Sequence, residues 1–149
     1  MRRAYGVVLA SCLLLPACGG GDGGSPTAPQ PTPTPAPVTT SIFNRSYSIA
    51  AFGAGYQDIS VPNSGTVEVT FDWTFSTSDI DLVVTPTSCT DWYSAYSSFC
   101  QVLGSDKTPA GVKRARVSLS MSAAGTIRVW VYNFTSVNES GVLSATLTR

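Results

Sequence analysis

Four aromatic side chains, Trp92, Tyr93, Tyr96 and Phe99, crowd the stretch between Cys89 and Cys100, beside Asp91 and several serines. Flat, rigid rings on one short segment offer contact area for the faces of sugar rings or for a protein partner, which makes Trp92, Tyr93 and Tyr96 candidate ligand-binding residues. The other reading is that the segment folds back and uses these rings as a small core of its own. Asp79 and Asp81 form a second constellation. Two positions apart at the start of a strand, their carboxylates point to one face while Ile80 and Leu82 point to the other. Two like charges held together attract a cation, so the pair is a candidate calcium site. Calcium takes about six to eight oxygens, of which Ser76, Ser78, a carbonyl or Asp72 could supply part, and nothing resembling an EF-hand loop is present. Alternatively the two Asp side chains cap the turn and accept hydrogen bonds from loop amides.

Catalytic chemistry has little to build on. The chain has no His, so a Ser-His-Asp triad or a His-ligated zinc cannot form, and the Gly-x-Ser-x-Gly elbow is missing. A glycosidase needs two carboxylates flanking a cleft, and no sign of one accompanies Glu68, Glu139 and the Asp residues. The expectation is a protein that is not an enzyme and needs no cofactor beyond the calcium candidate. Nine basic and nine acidic residues balance, and two of the basic ones stand at positions 2 and 3. The remainder is slightly acidic, which disfavours nucleic acid as a partner. Lys113, Arg114 and Arg116 form the one basic cluster and read as a solvated, edge-protecting face of a strand.

The elements that must position these residues are strands. From Thr66 to Phe75 the chain alternates strictly, with Val67, Val69, Phe71, Trp73 and Phe75 on one face and polar residues on the other. That is the pattern of a half-buried antiparallel strand. Ile80, Leu82 and Val84 repeat the period up to Pro86, Val117, Leu119 and Met121 make another strand, and Ala123-Ala124-Gly125 turns the chain into Ile127, Val129 and Val131. Leu143, Ala145 and Leu147 form the last. Phe43, Tyr47, Ile49 and Ala51 alternate earlier, and Ile59 with Val61 gives a short strand before Pro62. Trp130, Tyr132 and Phe134 occupy the face opposite Ile127, Val129 and Val131. Such a strand is either central and covered on both faces, or it shows an aromatic stripe to solvent or a partner. About seven or eight short strands with Gly, Asn and Ser turns predict an all-β fold, a single antiparallel β-sandwich over residues 41–149.

The N-terminus points to a compartment. Arg2 and Arg3 precede an apolar run of about 12 residues, Ala4 to Leu15, within the length of a secretory signal and short of a membrane span. Leu15-Pro16-Ala17-Cys18 then resembles the lipobox of bacterial lipoproteins, in which the Cys after the cleavage site is acylated. The resemblance implies a signal peptide over 1–17 and lipidation at Cys18. The protein is then anchored to a membrane through its lipid, in the cell envelope, on the outer membrane or cell surface. With Cys12 removed and Cys18 acylated, Cys89 and Cys100 remain as one pair outside the cytoplasm, where disulfides persist. A Cys89–Cys100 bridge is therefore expected. A glycine cluster and prolines at 26, 29, 31, 33, 35 and 37 fill residues 18–40. This composition forms no core; Gly-rich coil passes into polyproline II, and Pro26 to Pro37 makes a spacer of roughly 35–40 Å.

Three stretches carry a further likeness: Gly65-Thr66-Val67-Glu68-Val69 leading to Phe71-Asp72-Trp73, then Asp79-Ile80-Asp81-Leu82-Val83-Val84, and Gly125 through Asn133 followed by Gly141. Over residues 42–148 the chain resembles the bacterial pre-peptidase C-terminal domain family. The resemblance implies a jelly-roll-like β-sandwich that is itself non-catalytic, of a kind that binds calcium or matrix polymers in some relatives. The expected function is a non-catalytic binding module on a lipid anchor, for carbohydrate, matrix or envelope protein. The alternative is a structural or scaffolding subunit of an envelope complex, suggested by the doubly apolar strand from Ile127 to Phe134.

Overall fold

Alternation with a period of two builds the structure. In the computed structural model, which describes residues 34–149 except Thr108, eight strands and one short helix follow in the order β1 (Thr39–Ile49), β2 (Ala54–Val61), β3 (Gly65–Trp73), β4 (Ile80–Pro86), α1 (Trp92–Tyr96), β5 (Gly104–Asp106), β6 (Ala115–Met121), β7 (Gly125–Asn133) and β8 (Glu139–Thr148). The signal segment, Cys18 and the tether up to residue 33 lie outside the described residues. The strands form two four-stranded sheets, ordered β1-β8-β3-β6 and β2-β7-β4-β5, and the strand pairs are antiparallel. The fold is an all-β antiparallel sandwich.

The inner faces meet in one core. Val67, Val69, Phe71 and Trp73 of β3 and Leu143, Ala145 and Leu147 of β8 pack against Ile80, Leu82 and Val84 of β4 and Ile127, Val129 and Val131 of β7. At roughly 1.5–3 kcal/mol for each fully buried large apolar side chain, this layer is the main source of stability. The first sheet shows its other face to water, so β3, β6 and β8 alternate, while the edge strand β1, with a register shift between Ser41 and Phe43, is mostly exposed and buries Ile49. The second sheet does not alternate: the outward residues Val83, Trp130 and Tyr132 are buried as well, beneath the Cys89–Cys100 loop. Of the two readings of the Ile127–Phe134 strand, the central position covered on both faces holds for Trp130 and Tyr132, whereas Phe134 lies beyond the strand end and is exposed.

Three sequence expectations shift. The β3 strand stops at Trp73, and Phe75 is exposed rather than inward. The cause is Glu139, a fully buried carboxylate that accepts from the amides of Thr74 and Phe75 (3.2 Å each) and from the Ser78 hydroxyl. It pulls the backbone of 74–78 inward and turns the Phe75 ring out. Ala51 belongs to a turn, not to β1. Within the basic cluster only Arg116 lies on the edge strand β6, paired with Glu68 at 3.0 Å; Lys113 and Arg114 precede it and pair with Asp72 at 3.4 and 3.0 Å.

The sandwich has two poles. Val38 and Arg149 exchange backbone hydrogen bonds of 2.8 and 3.0 Å, so the chain enters and leaves at one pole. At the other lie the β1–β2 turn with Phe52 and the β7–β8 turn with Phe134.

Candidate functional site

Asp91 starts α1. Its Oδ2 accepts from the Ser94 amide at 2.8 Å, satisfying one of the donors that the first helical turn leaves free. The Ser94 hydroxyl and amide together hold the Asp91 carboxyl below its ordinary range. The helix is five residues long and buries Ala95, a length that water alone does not sustain. A disulfide closes around it: Cys89 and Cys100 are bonded, with their Cα atoms 5.8 Å apart. The amides of Phe99 and Cys100 both donate to the Ser94 carbonyl, at 2.9 and 3.1 Å, and complete the loop.

The outer face of the second sheet docks this loop with polar groups. From β7, the Tyr132 hydroxyl donates to the Trp92 carbonyl at 2.7 Å, and Arg128 Nη1 donates to the Cys89 carbonyl at 3.0 Å. Arg128 also grips Asp58 of β2 with Nε and Nη2, at 2.7 and 2.8 Å, and lies 4.0 Å from the Tyr56 ring centre. That guanidinium hydrogen bond holds the Asp58 carboxyl below its ordinary range. Trp130 Nε1 donates to the Thr85 hydroxyl at 3.1 Å. Burial raises the Tyr132 phenol well above its ordinary value, so it remains a donor at neutral pH.

The three predicted ligand-binding aromatics separate. Tyr96 turns onto the sheet, 4.8 Å from the Tyr132 ring and 5.3 Å from Phe134, and its hydroxyl donates to Asp81 Oδ2 at 2.8 Å. Burial, then that hydrogen bond, push its phenol up to about 12. Lys107 donates to the Tyr96 carbonyl at 2.6 Å and lies 4.0 Å from its ring centre. Tyr96 is a packing residue. Trp92 and Tyr93 remain 53% and 55% exposed, and Phe99 77%. Trp92 meets Tyr93 edge-on at 5.9 Å, and Phe99 stands 6.1 Å from Tyr93, a continuous aromatic surface.

Asp79 and Asp81 stand at the start of β4, with Asp106 of β5 close enough to act on Asp81 electrostatically. Asp81 is buried and bonded to Tyr96; burial raises its carboxyl pKa, an effect that the Tyr96 hydrogen bond opposes. Among the described residues no three Asp, Glu, His or Cys side chains gather as a metal-binding group. As a hydrogen-bond acceptor Asp81 serves a tyrosine hydroxyl rather than the loop amides expected.

Two clefts flank Trp92. One, of about 350 Å³, runs between Trp92, Phe52 and Phe134 over Tyr132; the other, of about 530 Å³, between Trp92, Tyr56 and Trp130, with Asp91 and Tyr47 on its margin. Sequence reasoning missed Phe52 and Tyr56. Phe52 is 73% exposed with φ of 51°, a left-handed backbone that bulky residues rarely adopt. Hydrogen bonds hold it there: the Phe52 amide donates to the Thr135 carbonyl at 2.9 Å and the Gly53 amide to the Ala50 carbonyl at 3.1 Å. A phenylalanine directly before a glycine in a turn was the available signal.

No family model and no curated protein matches the sequence. Among solved structures the chain is similar to the pre-peptidase C-terminal domain of a collagenase from Bacillus anthracis, with 9% identity and a TM-score of 0.47 over 74% of this chain and 87% of that one. It is also similar to a carbohydrate-binding module of lichenase 5A from Cellvibrio mixtus, solved in complex with cellotriose, with 11% identity and a TM-score of 0.43 over 76% and 98%. A mitogen derived from Yersinia pseudotuberculosis matches with 15% identity and a TM-score of 0.43 over 75% and 87%.

Proposed function

We propose that this protein is a non-catalytic carbohydrate-binding module of the cell envelope, anchored through acylated Cys18 and held off the membrane by the Pro-rich tether. The observation that carries the binding reading is the pair Trp92 and Tyr93, half-exposed on a loop whose backbone is fixed by a disulfide, a helix cap and two hydrogen bonds from β7. Leaving about half of such a ring in water forgoes roughly 2 kcal/mol of burial, and single exposed apolar residues need no explanation whereas a rigid cluster does. The cluster also stands at the pole opposite the chain's entry at Val38. The scaffolding alternative keeps only Phe134 as its motive, because Trp130 and Tyr132 of the strand that suggested it are covered by the chain's own loop.

Affinity electrophoresis of the purified protein through gels containing neutral polysaccharides tests the binding reading. Retardation is expected, and Trp92→Ala with Tyr93→Ala should abolish it while leaving the melting temperature within a few degrees. Equal retardation of parent and variant removes the loop from the reading. The anchor is tested by the intact mass of protein purified from its native membrane: a chain starting at acylated Cys18 is expected, and an unacylated mass discards the anchor.

A further inference from the structure

Trp92 lines both clefts, and so does Ala54. Between and beneath them runs Gly53-Ala54-Gly55 at the start of the edge strand β2, a floor carrying one methyl group. Ala54 and Tyr56 pair with Tyr132 and Trp130 on the outer face, whereas Gly55 pairs with Val131. A Cβ on Gly55 would therefore point inward, 2.5 Å from the Tyr47 hydroxyl, and of this floor only the Ala54 methyl faces the clefts. The two clefts thus adjoin, with Ala54 and Trp92 common to both linings. Each has its own aromatic at the far side: Phe52 in one and Tyr56, half-exposed, in the other.

We infer that the two clefts are adjoining subsites of one trough, which takes at least two consecutive units of a neutral, extended polysaccharide along the Trp92 ring. The inference rests on the carbohydrate reading above. Its repeat comes from the three aromatics in succession, Phe52, Trp92 and Tyr56: a single sugar can occupy only one side of Trp92, whereas a chain presents a flat apolar face to each ring in turn. The two volumes lie within the range of about 300–1,000 Å³ usual for small-ligand clefts.

Charge selects the neutral polymer. Among the described residues lining the clefts none is basic, and the one carboxylate, Asp91, is kept ionised by its Ser94 partners. The nearest guanidinium, Arg128 against the Tyr56 ring, has its fork closed on Asp58. A uronate or sulfate placed here would lose water and face Asp91 without a cationic partner. Sugar hydroxyls find donors and acceptors in the Asp91 carboxylate and the Tyr47 and Tyr56 hydroxyls.

The test uses the full chain and calorimetric titration with neutral oligosaccharides of one to six units, from β-1,3-glucan, β-1,4-glucan and β-1,4-mannan, with oligogalacturonates as the anionic counterpart. Affinity for at least one neutral series should rise tenfold or more from one unit to three or four and then level off. Phe52→Gly, which accepts the left-handed backbone, and Tyr56→Ala should each weaken the long ligands about three- to tenfold, the worth of one aromatic contact. Their melting curves establish that both variants are folded. Length-independent affinity, long-chain binding unaffected by both variants, or oligogalacturonate bound as tightly as the neutral series overturns the trough. Binding to none of the sugars by folded protein overturns the carbohydrate reading itself.

Discussion

Replacing Arg128 by Met should cost about 3 kcal/mol, and the loss should reach the aromatic loop as well as the fold. The side chain is only 10% exposed and makes three kinds of contact. Its fork on Asp58, at 2.7 and 2.8 Å, is well aligned, but Asp58 is 38% exposed, so solvent screens the pair and about 1 kcal/mol is a fair value. The Nη1 bond to the Cys89 carbonyl is buried, and removing the donor leaves an acceptor beneath the loop without a partner, at about 1–2 kcal/mol. Loss of the cation from the Tyr56 face adds about 0.5–1 kcal/mol. Met keeps the apolar stem, so little packing is lost.

For a domain of this size about 3 kcal/mol corresponds to a fall in melting temperature of roughly 10 °C. Urea titration followed by tryptophan fluorescence measures the free energy, and hydrogen exchange of residues 89–100 measures the loop. Arg128→Lys should recover little, because an ammonium cannot hold both Asp58 oxygens and the Cys89 carbonyl in one plane. The reasoning is refuted if Arg128→Met costs less than about 1 kcal/mol, if Arg128→Lys matches the parent, or if exchange in the loop is unchanged.

Reducing the Cys89–Cys100 bridge, or replacing both residues by Ser, should lower stability by about 3 kcal/mol, the chain-entropy value for a sequence separation of 11; paired melts with and without reductant measure it. Asp81 has the opposite pH sign to the surface pairs. Burial raises its carboxyl above the ordinary 3.8, so its contribution is full below that value and is lost as pH rises through the folded pKa. Asp81→Asn, which can still accept from Tyr96, should therefore melt higher than the parent at pH 7, with the difference vanishing below pH 3.8. Asp58 and Asp72 are held low, by hydrogen bonds from Arg128 and from Arg114 respectively. Their contribution is present above 3.8 and disappears as pH falls through their lowered folded values, so Asp72→Asn should matter at pH 7 and not in strong acid. Gly141→Ala should cost 3 kcal/mol or more, because a Cβ there collides with the Asp72 carbonyl and lies 2.8 Å from the Trp73 Cα, both backbone. Gly111→Ala, in open space at φ of 92°, should cost only about 1 kcal/mol in the same urea titration.

What the sequence made legible was fixed by burial on one face. The β3 alternation is readable because every second residue meets the core and the rest meet water, and the same holds for β6 and β8. The apolar run Val129 to Tyr132 of β7 left a second covered face and a solvent-facing aromatic stripe equally open, and only the docked loop decides between them. Two elements gave no signal: β5, whose Gly-Ser-Asp has no apolar period, and α1, a single turn that exists through its Asp91 cap and its cystine. The site was half legible. Trp92 and Tyr93 stood out by composition, but the chain alone could not separate them from Tyr96, which becomes a packing residue only because the loop folds back over Asp81. Phe52 and Tyr56 come to the site through a left-handed turn and an edge strand, and both depend on tertiary placement that periodicity does not encode.

The second sheet explains why a binding surface arises here. A sheet with two apolar faces needs a cover on its outer side, and the chain supplies only a short loop, which lies over β4 and β7 and stops before the edge strand β2. The trough is where that cover ends. Had the loop served only as cover, Trp92 would be used as Tyr96 is, with its ring on the sheet and its polar atom bonded. Instead β7 holds the Trp92 carbonyl through the Tyr132 hydroxyl, and among the described residues no side-chain hydrogen bond engages the indole. Fixing the backbone while leaving the ring free preorganises a contact surface without burying it, which lowers the ordering cost that binding would otherwise carry.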